Sequence, residues 1–224
     1  MSAEIRPFAE RDRTELRELF ERAGQGSPSA SLWGHEESEA AVYLTPYMDL
    51  EPESLFVAVV DGVIVGYLTG SLASGRIPSE SDRMDHAIKS YRLIRRTKPL
   101  KFFVRAGLDM ARARVGRQEQ AAGDFADVRW PAHLHINVVP EARGTGIAVS
   151  LMERWLDRLI ETGSPGCHLQ TLVENTRAVR FFERMGFAKY GTTPLVPGIR
   201  RHGKRLHQQT MVWSPPSSQS AEPR

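Results

Sequence analysis

The sequence predicts an α/β (α+β) fold: a single sheet of mixed strand direction, helices on both faces, and a helical insertion. Three observations carry that expectation. Two β-branched runs, Leu55-Phe56-Val57-Ala58-Val59-Val60 and Val63-Ile64-Val65-Gly66-Tyr67-Leu68, flank Asp61-Gly62. Asp-Gly between such runs is a strong short-range signal for an antiparallel hairpin. Further on, strand 132–139, helix 144–161, strand 167–173 and helix 176–185 alternate, which implies a parallel strand pair with a right-handed crossover. Between these blocks, residues 75–128 are polar and break the strand pattern, which marks the insertion.

The remaining elements follow in order. Residues 3–7 read as a short strand. Leu16, Leu19, Phe20 and Ala23 recur at helical spacing, and residues 24–28 end that helix. A second helix is expected over 36–44, stopping before Pro46. Inside the insertion, Met84, Ile88, Tyr91 and Arg95 share a helical face, and its aromatics Tyr91, Phe102 and Phe103 are expected to pack against the main domain. Residues 188–193 and 206–213 read as closing strands around a basic loop that contains Gly and Pro. The Pro/Ser-rich tail, 214–224, is expected to be disordered, leaving one domain over 1–213.

Composition bounds the function. A chain of 224 residues with 41% hydrophobic content supports one substantial core. The net charge of +3 does not by itself call for nucleic acid. The sole cysteine, Cys167, rules out an internal disulfide and reads as a buried residue rather than a nucleophile. No apolar signal region or membrane-length run is present, so a cytoplasmic protein with no membrane partner is expected. Charge is unevenly spread: residues 76–117 hold 12 Lys or Arg against 4 Asp or Glu. That stretch reads as a solvated face, with an acidic protein, nucleic acid or a cofactor phosphate as alternatives.

The run Arg143-Gly144-Thr145-Gly146-Ile147-Ala148 lies between an apolar strand and an amphipathic helix. Free amides at a helix start, together with about half a positive charge from the helix dipole, suit a phosphate-bearing ligand. The run lacks the Gly-Lys-Ser/Thr of a Walker loop and the glycines of a dinucleotide fingerprint. On the preceding strand, Leu134, Ile136 and Val138 share one face; His133, His135 and Asn137 share the other. Three polar groups in a row need partners or water, and Cys167-His168-Leu169-Gln170 repeats the pattern on the next strand. One sheet face is therefore expected to line a wet cleft. A histidine there could accept a proton near neutral pH, directly or through water. His133 and His135 have no convincing partner for a metal site.

A second segment, Asn175-Thr176-Arg177-Ala178-Val179-Arg180-Phe181-Phe182-Glu183-Arg184-Met185-Gly186-Phe187, follows about 30 residues after the glycine run. Together with residues 138–148 it closely resembles the GNAT superfamily of acetyl-CoA-dependent N-acetyltransferases. The hairpin ending in Val65-Gly66-Tyr67 fits the same pattern. The resemblance implies a mostly antiparallel sheet whose central parallel pair splays apart. It implies transfer of an acetyl group from acetyl-CoA to a primary amine by direct attack in a ternary complex. The residues it assigns to the cosubstrate are Asn137, Val138, Val139, Arg143, Gly144, Thr145, Gly146, Ile147, Ala148, Asn175 and Phe182. An amide near Val138 would polarise the thioester carbonyl, and Asn175 would touch the cofactor or merely cap its helix.

For catalysis, His135 is expected to be the base, with His133 beside it. Arylalkylamine N-acetyltransferases, in the same superfamily, carry a similar His-x-His pair on this strand. Phe182 departs from the pattern, because many family members have a tyrosine there whose hydroxyl protonates the departing thiolate. Tyr190 and the histidines are candidate substitutes. The layout is also similar to the acetyltransferase-like domain attached to some O-GlcNAc hydrolases, at Tyr43-Leu44-Thr45-Pro46-Tyr47, Val65-Gly66-Tyr67 and Pro131-Ala132-His133-Leu134-His135. Such domains are sometimes described as lacking activity, so a non-catalytic acyl-CoA-binding module is the alternative, and a nucleic-acid-binding protein is a third. The expected partner is an amine acceptor, small molecule or protein, acting on a monomer or homodimer.

Overall fold

The computed structural model describes residues 3–23, 32–73, 75–115 and 120–216. Its strands are β1 (Glu4–Pro7), β2 (Leu55–Val60), β3 (Val63–Ser71), β4 (Ala132–Val138), β5 (Cys167–Leu172), β6 (Ala188–Tyr190), β7 (Leu195–Arg201) and β8 (Lys204–Trp213). Its α-helices are α1 (Arg13–Ala23), α2 (Glu36–Tyr43), α3 (Thr45–Leu50), α4 (Glu80–Ser90), α5 (Thr97–Val115), α6 (Ile147–Glu161) and α7 (Thr176–Arg184). The sheet runs β1-β2-β3-β4-β5-β8-β6, with β7 paired to β8. All pairs are antiparallel except β4 with β5.

Local chemistry explains the elements. Asp61 (φ 50°) and Gly62 (φ 81°) both take the left-handed conformation that a two-residue hairpin turn requires. In α6, Ile147, Leu151, Met152, Trp155 and Leu159 form one buried stripe that lies on the sheet. A β-carbon at Gly70 would sit 2.4 Å from the Trp155 ring, so only glycine lets that indole lie against β3. The opposite face is covered by α1 and α3, where Leu16, Leu19, Tyr47 and Met48 meet Leu55, Val57 and Tyr67. Both faces of the sheet are therefore buried, and the alternation along β2 and β3 feeds two separate cores.

Three sequence expectations need correction. Helicity does not stop before Pro46. Instead α2 ends at Tyr43 and α3 begins at Thr45, with Pro46 in its first turn, where a missing N–H breaks no bond. The loop after 193 contains a further strand, β7, which turns into β8 through His202 (φ 50°) and Gly203 (φ 77°). Arg95 does not extend the face of Met84, Ile88 and Tyr91; α4 has ended, and Arg95 is exposed in a 3-10 turn. The insertion aromatics Tyr91, Phe102 and Phe103 do pack, together with Trp33, Val42, Ala87 and Leu93.

The helix α5 is also fastened to β7. Its buried Asp109 accepts from the Gly198 amide at 3.0 Å and from the Arg200 guanidinium at 2.6 Å. Arg200 holds that carboxyl below its ordinary value. The residues expected to end the first helix, 24–28, and tail residues 217–224 lie outside the described residues.

Candidate functional site

Strands β4 and β5 are paired only at Ala132 with Cys167 and His133 with His168. Beyond His133 the strands share no further register, and a cavity of about 560 Å³ lies along the separation. Its walls include Leu134, His135, Ile136 and Asn137 from β4, Leu169 to Leu172 from β5, and Asn175, Ala178 and Phe182 at α7. Backbone direction is set by the neighbouring pair. The Val139 amide donates to the Val65 carbonyl at 3.0 Å, toward β3. Strand amides alternate, so the Val138 amide points the other way, into the separation.

The glycine loop follows β4 in the chain, and residues 138–148 do not themselves line the cavity. Gly144 (φ 86°) and Gly146 (φ 93°) are left-handed, and a β-carbon at either would meet nothing within 4 Å. Backbone conformation, not crowding, thus calls for glycine there. Gly146 is the N-cap of α6 and supplies no side-chain cap. Among the described residues the amides from Gly144 to Ala148 find no acceptor, which is the donor array an anion needs. Arg143 braces the loop by donating to the carbonyls of Val138 (3.2 Å) and Ala23 (2.9 Å). Thr145 closes it with a 2.7 Å bond to the Ala142 carbonyl.

From the point where β4 and β5 are still paired, β4 presents its polar face. His133 and His135 both reach one hydroxyl: Tyr47 Oη lies 2.9 Å from His133 Nε2 and 3.0 Å from His135 Nε2. A hydroxyl has one proton, so it donates to one imidazole and accepts from the other. His168 packs beside His133, and its Nδ1 lies 2.7 Å from the Trp130 carbonyl. A carbonyl only accepts, so the His168 proton sits on Nδ1. Burial pushes His135 down to about 4, with Arg83 adding to the effect. Burial, then His135, pushes His133 down to about 3. Burial raises Tyr47 to about 12. At neutral pH the group is an uncharged chain of proton donors and acceptors.

His135 and Asn137 line the cavity, whereas His133 stands behind them. Asn137 donates to the Tyr67 hydroxyl at 2.8 Å. Thr69, opposite His135 in register, has a buried hydroxyl with no partner among the described residues. The far wall is mostly acidic: Glu36, Glu39 and Glu80 line it beside Phe20 and Tyr43, and Glu21 and Arg22 add one charge of each sign. Glu80 accepts from the Tyr43 hydroxyl at 2.6 Å, and Glu39 accepts three backbone amides from residues 32–34. None of the three is in an ion pair among the described residues.

Other candidates are placed as follows. Asn175 caps α7 by accepting from the Ala178 amide at 3.3 Å, while also bordering the cavity. Phe182 borders the cavity and packs on Phe181 and Phe187. Tyr190 does not line it; its hydroxyl accepts from Arg129 at 2.8 Å. Cys167 is buried, and burial pushes its thiol up to about 12, which leaves it inert. Sequence reasoning missed the roles of Tyr47, Tyr43 and Glu80. The four-residue interval between the tyrosines was the available signal.

The Acetyltransferase (GNAT) family model matches residues 13–187. Among curated relatives, the chain is similar to N-alpha-acetyltransferase 30 of Schizosaccharomyces pombe, 42% identical over 53 residues. That match covers 24% of this chain and about a third (35%) of the relative. Among solved structures, SsHAT has a TM-score of 0.59 at 23% identity, covering 96% of this chain and 98% of the other. YncA of Salmonella typhimurium, a putative acetyltransferase solved with its cofactor acetyl-CoA, has a TM-score of 0.58 at 14% identity, covering the whole of both chains.

Proposed function

Since this chain belongs to the acetyltransferase (GNAT) family, we propose that it moves the acetyl group of acetyl-CoA to a primary amine, by direct attack with both substrates bound. One observation carries the reading: a single cavity joins the separation between β4 and β5 to His135 and to an acidic wall. The chain is read as one acetyltransferase domain over 1–213, with its insertion at 75–128.

The residues of the glycine loop and of the β4–β5 separation fit the cosubstrate. The unaccepted amides from Gly144 to Ala148 would hold its pyrophosphate, braced by Arg143. Asn137, Val138, Val139, Asn175 and Phe182 would flank its arm. When bound, acetyl-CoA supplies an activated thioester. The Val138 amide, aimed into the separation, would donate to the thioester oxygen as negative charge gathers there. His135, neutral at pH 7, would accept the proton that the attacking nitrogen loses, directly or through water. Tyr47 would pass hydrogen-bond polarisation on to His133. Glu36, Glu39 and Glu80, with no paired cation among the described residues, leave the wall net negative despite Arg22 and favour an acceptor that carries positive charge of its own.

Phe182 supports a second reading, a non-catalytic acyl-CoA-binding module, because its ring offers no proton to the leaving thiolate. Calorimetry with acetyl-CoA, followed by thiol release over a panel of amines, separates the two. Binding with turnover supports the enzyme; binding with none supports the module; no binding overturns both. In the enzyme, His135→Ala should lose turnover and keep its cofactor affinity.

A further inference from the structure

The outer face of α5 bears large apolar side chains with nothing among the described residues packed over them. Leu100, Val104, Leu108 and Val115 are 42%, 54%, 51% and 87% exposed. Their spacing of four, four and seven residues places them on a single stripe. The rest of the helix is already engaged: Phe102 and Phe103 pack in the insertion core, and Asp109 binds Gly198 and Arg200. The exposed stripe is therefore additional to what the fold needs.

Its flanks are basic. By helical angle, Lys101, Arg105 and Arg112 run along one side of the stripe, Lys98 lies farther round on the same side, and Arg114 lies on the other. All five are exposed, and none has a hydrogen bond or ion pair among the described residues. Arg92, Arg95 and Arg96 extend the charge just before the helix. The one acid on α5, Asp109, is buried, so α5 itself sets no carboxylate against these cations on its outer face.

We propose that the outer face of α5 docks on an anionic lipid bilayer, lying flat with its apolar stripe in the interface. The 19 residues extend about 28 Å at the helical rise, enough to lie along a surface. An apolar stripe with Lys and Arg at its margin is the pattern of an interfacial helix, whose long cationic chains reach headgroup phosphates while their stems stay apolar. No described helix is long and apolar enough to cross a membrane. The lack of a spanning run has no bearing on a helix that rests on a membrane surface. Charge complementarity selects this occupant. A second copy would set cations against cations. A nucleic acid would have no use for four exposed aliphatic side chains at the centre of the face.

Flotation of the full chain with vesicles tests this. The chain should float with phosphatidylcholine/phosphatidylglycerol vesicles at low salt, and should stay behind with phosphatidylcholine alone or at high salt. Lys101→Glu/Arg105→Glu should weaken partition by at least about five-fold for each charge. Val104→Asp/Leu108→Asp should abolish it with an unchanged thermal midpoint. Three results would overturn the proposal: no flotation with the anionic vesicles, flotation unaffected by both double variants, or tighter binding to duplex DNA or an acidic peptide than to the vesicles.

Discussion

The hydroxyl of Tyr47 lies 3.0 Å from Nε2 of His135 and joins it to His133, 2.9 Å away on the other side. One α3 side chain thus fixes the tautomers of two neighbours on β4. Tyr47→Phe would strand two buried ring nitrogens and free both imidazoles to choose their own proton positions. We expect a stability loss of about 1–3 kcal/mol. Turnover should fall about 10²-fold, with the calorimetric affinity for acetyl-CoA unchanged. Unfolding curves and thiol-release rates on the same preparation check both parts.

The depressed histidines should make the fold acid-sensitive in a defined window. An unfolded histidine titrates near 6.5, whereas His133 and His135 sit at about 3 and about 4, and burial also lowers His168. Below about 6.5 the unfolded chain takes up protons that the native chain refuses. Stability should be full above that value and should decline as the pH falls toward 4, by up to about 1.4 kcal/mol per pH unit for each group. Asp12 and Asp109 behave differently. Arg6 and Arg200 hold them low, so their contribution is lost only as the pH falls below the ordinary carboxylate value of about 3.9. Urea unfolding from pH 7.5 to 4.5 should show the histidine slope alone, and His133→Gln should flatten it. A wild-type profile that is flat across that range would refute the assignment.

What was legible in the sequence was local. The alternation of β4 and the glycine turn depend on near neighbours in the chain, so Leu134 and Ile136 pack into one core while His135 and Asn137 take the opposite face, all four bordering the cavity. Tyr47 and Glu80 were not legible, because Tyr47 reaches His135, and Glu80 reaches the neighbouring Tyr43, through packing between elements distant in the chain. Propensity could not show that α3 would resume after Leu44 and aim Tyr47 at β4. Nor could it show that Asp109 would draw α5 onto a strand hidden in the basic 194–205 loop.

The glycine loop should be sensitive through its backbone rather than its space. At Gly146 (φ 93°) a β-carbon has room but the conformation is strained. Gly146→Ala should cost about 1 kcal/mol or more of stability. Acetyl-CoA affinity should fall about ten-fold or more, because the N-terminal amides of α6 would re-aim. Calorimetry measures this directly, and unchanged affinity would remove the loop from the site.

The acidic wall should set which amines are accepted. Glu80→Gln keeps a hydrogen-bond acceptor for Tyr43 but removes a charge from the cavity. For a diamine the KM should rise about ten-fold, with kcat nearly unchanged, while an uncharged-tail amine should show little change. Equal effects on both amines would mean that Glu80 acts only by supporting Tyr43.

Phe182 offers a gain rather than a loss. Its ring borders the cavity beside Ala178 and Asn175, and it is held between Phe181 and Phe187. Phe182→Tyr adds one hydroxyl there without enlarging the ring. General-acid assistance is typically worth about 10²–10⁴-fold. If protonation of the leaving thiolate limits turnover, kcat should rise toward the lower end of that range and the acetyl-CoA affinity should hold. A tyrosine proton must still be present for this to work, so the gain should fade as the pH rises toward the phenol's own titration near 10. Wild-type turnover should show no such decline. Comparing the two pH–rate profiles therefore distinguishes a working acid from a mere packing change, which would shift both profiles alike.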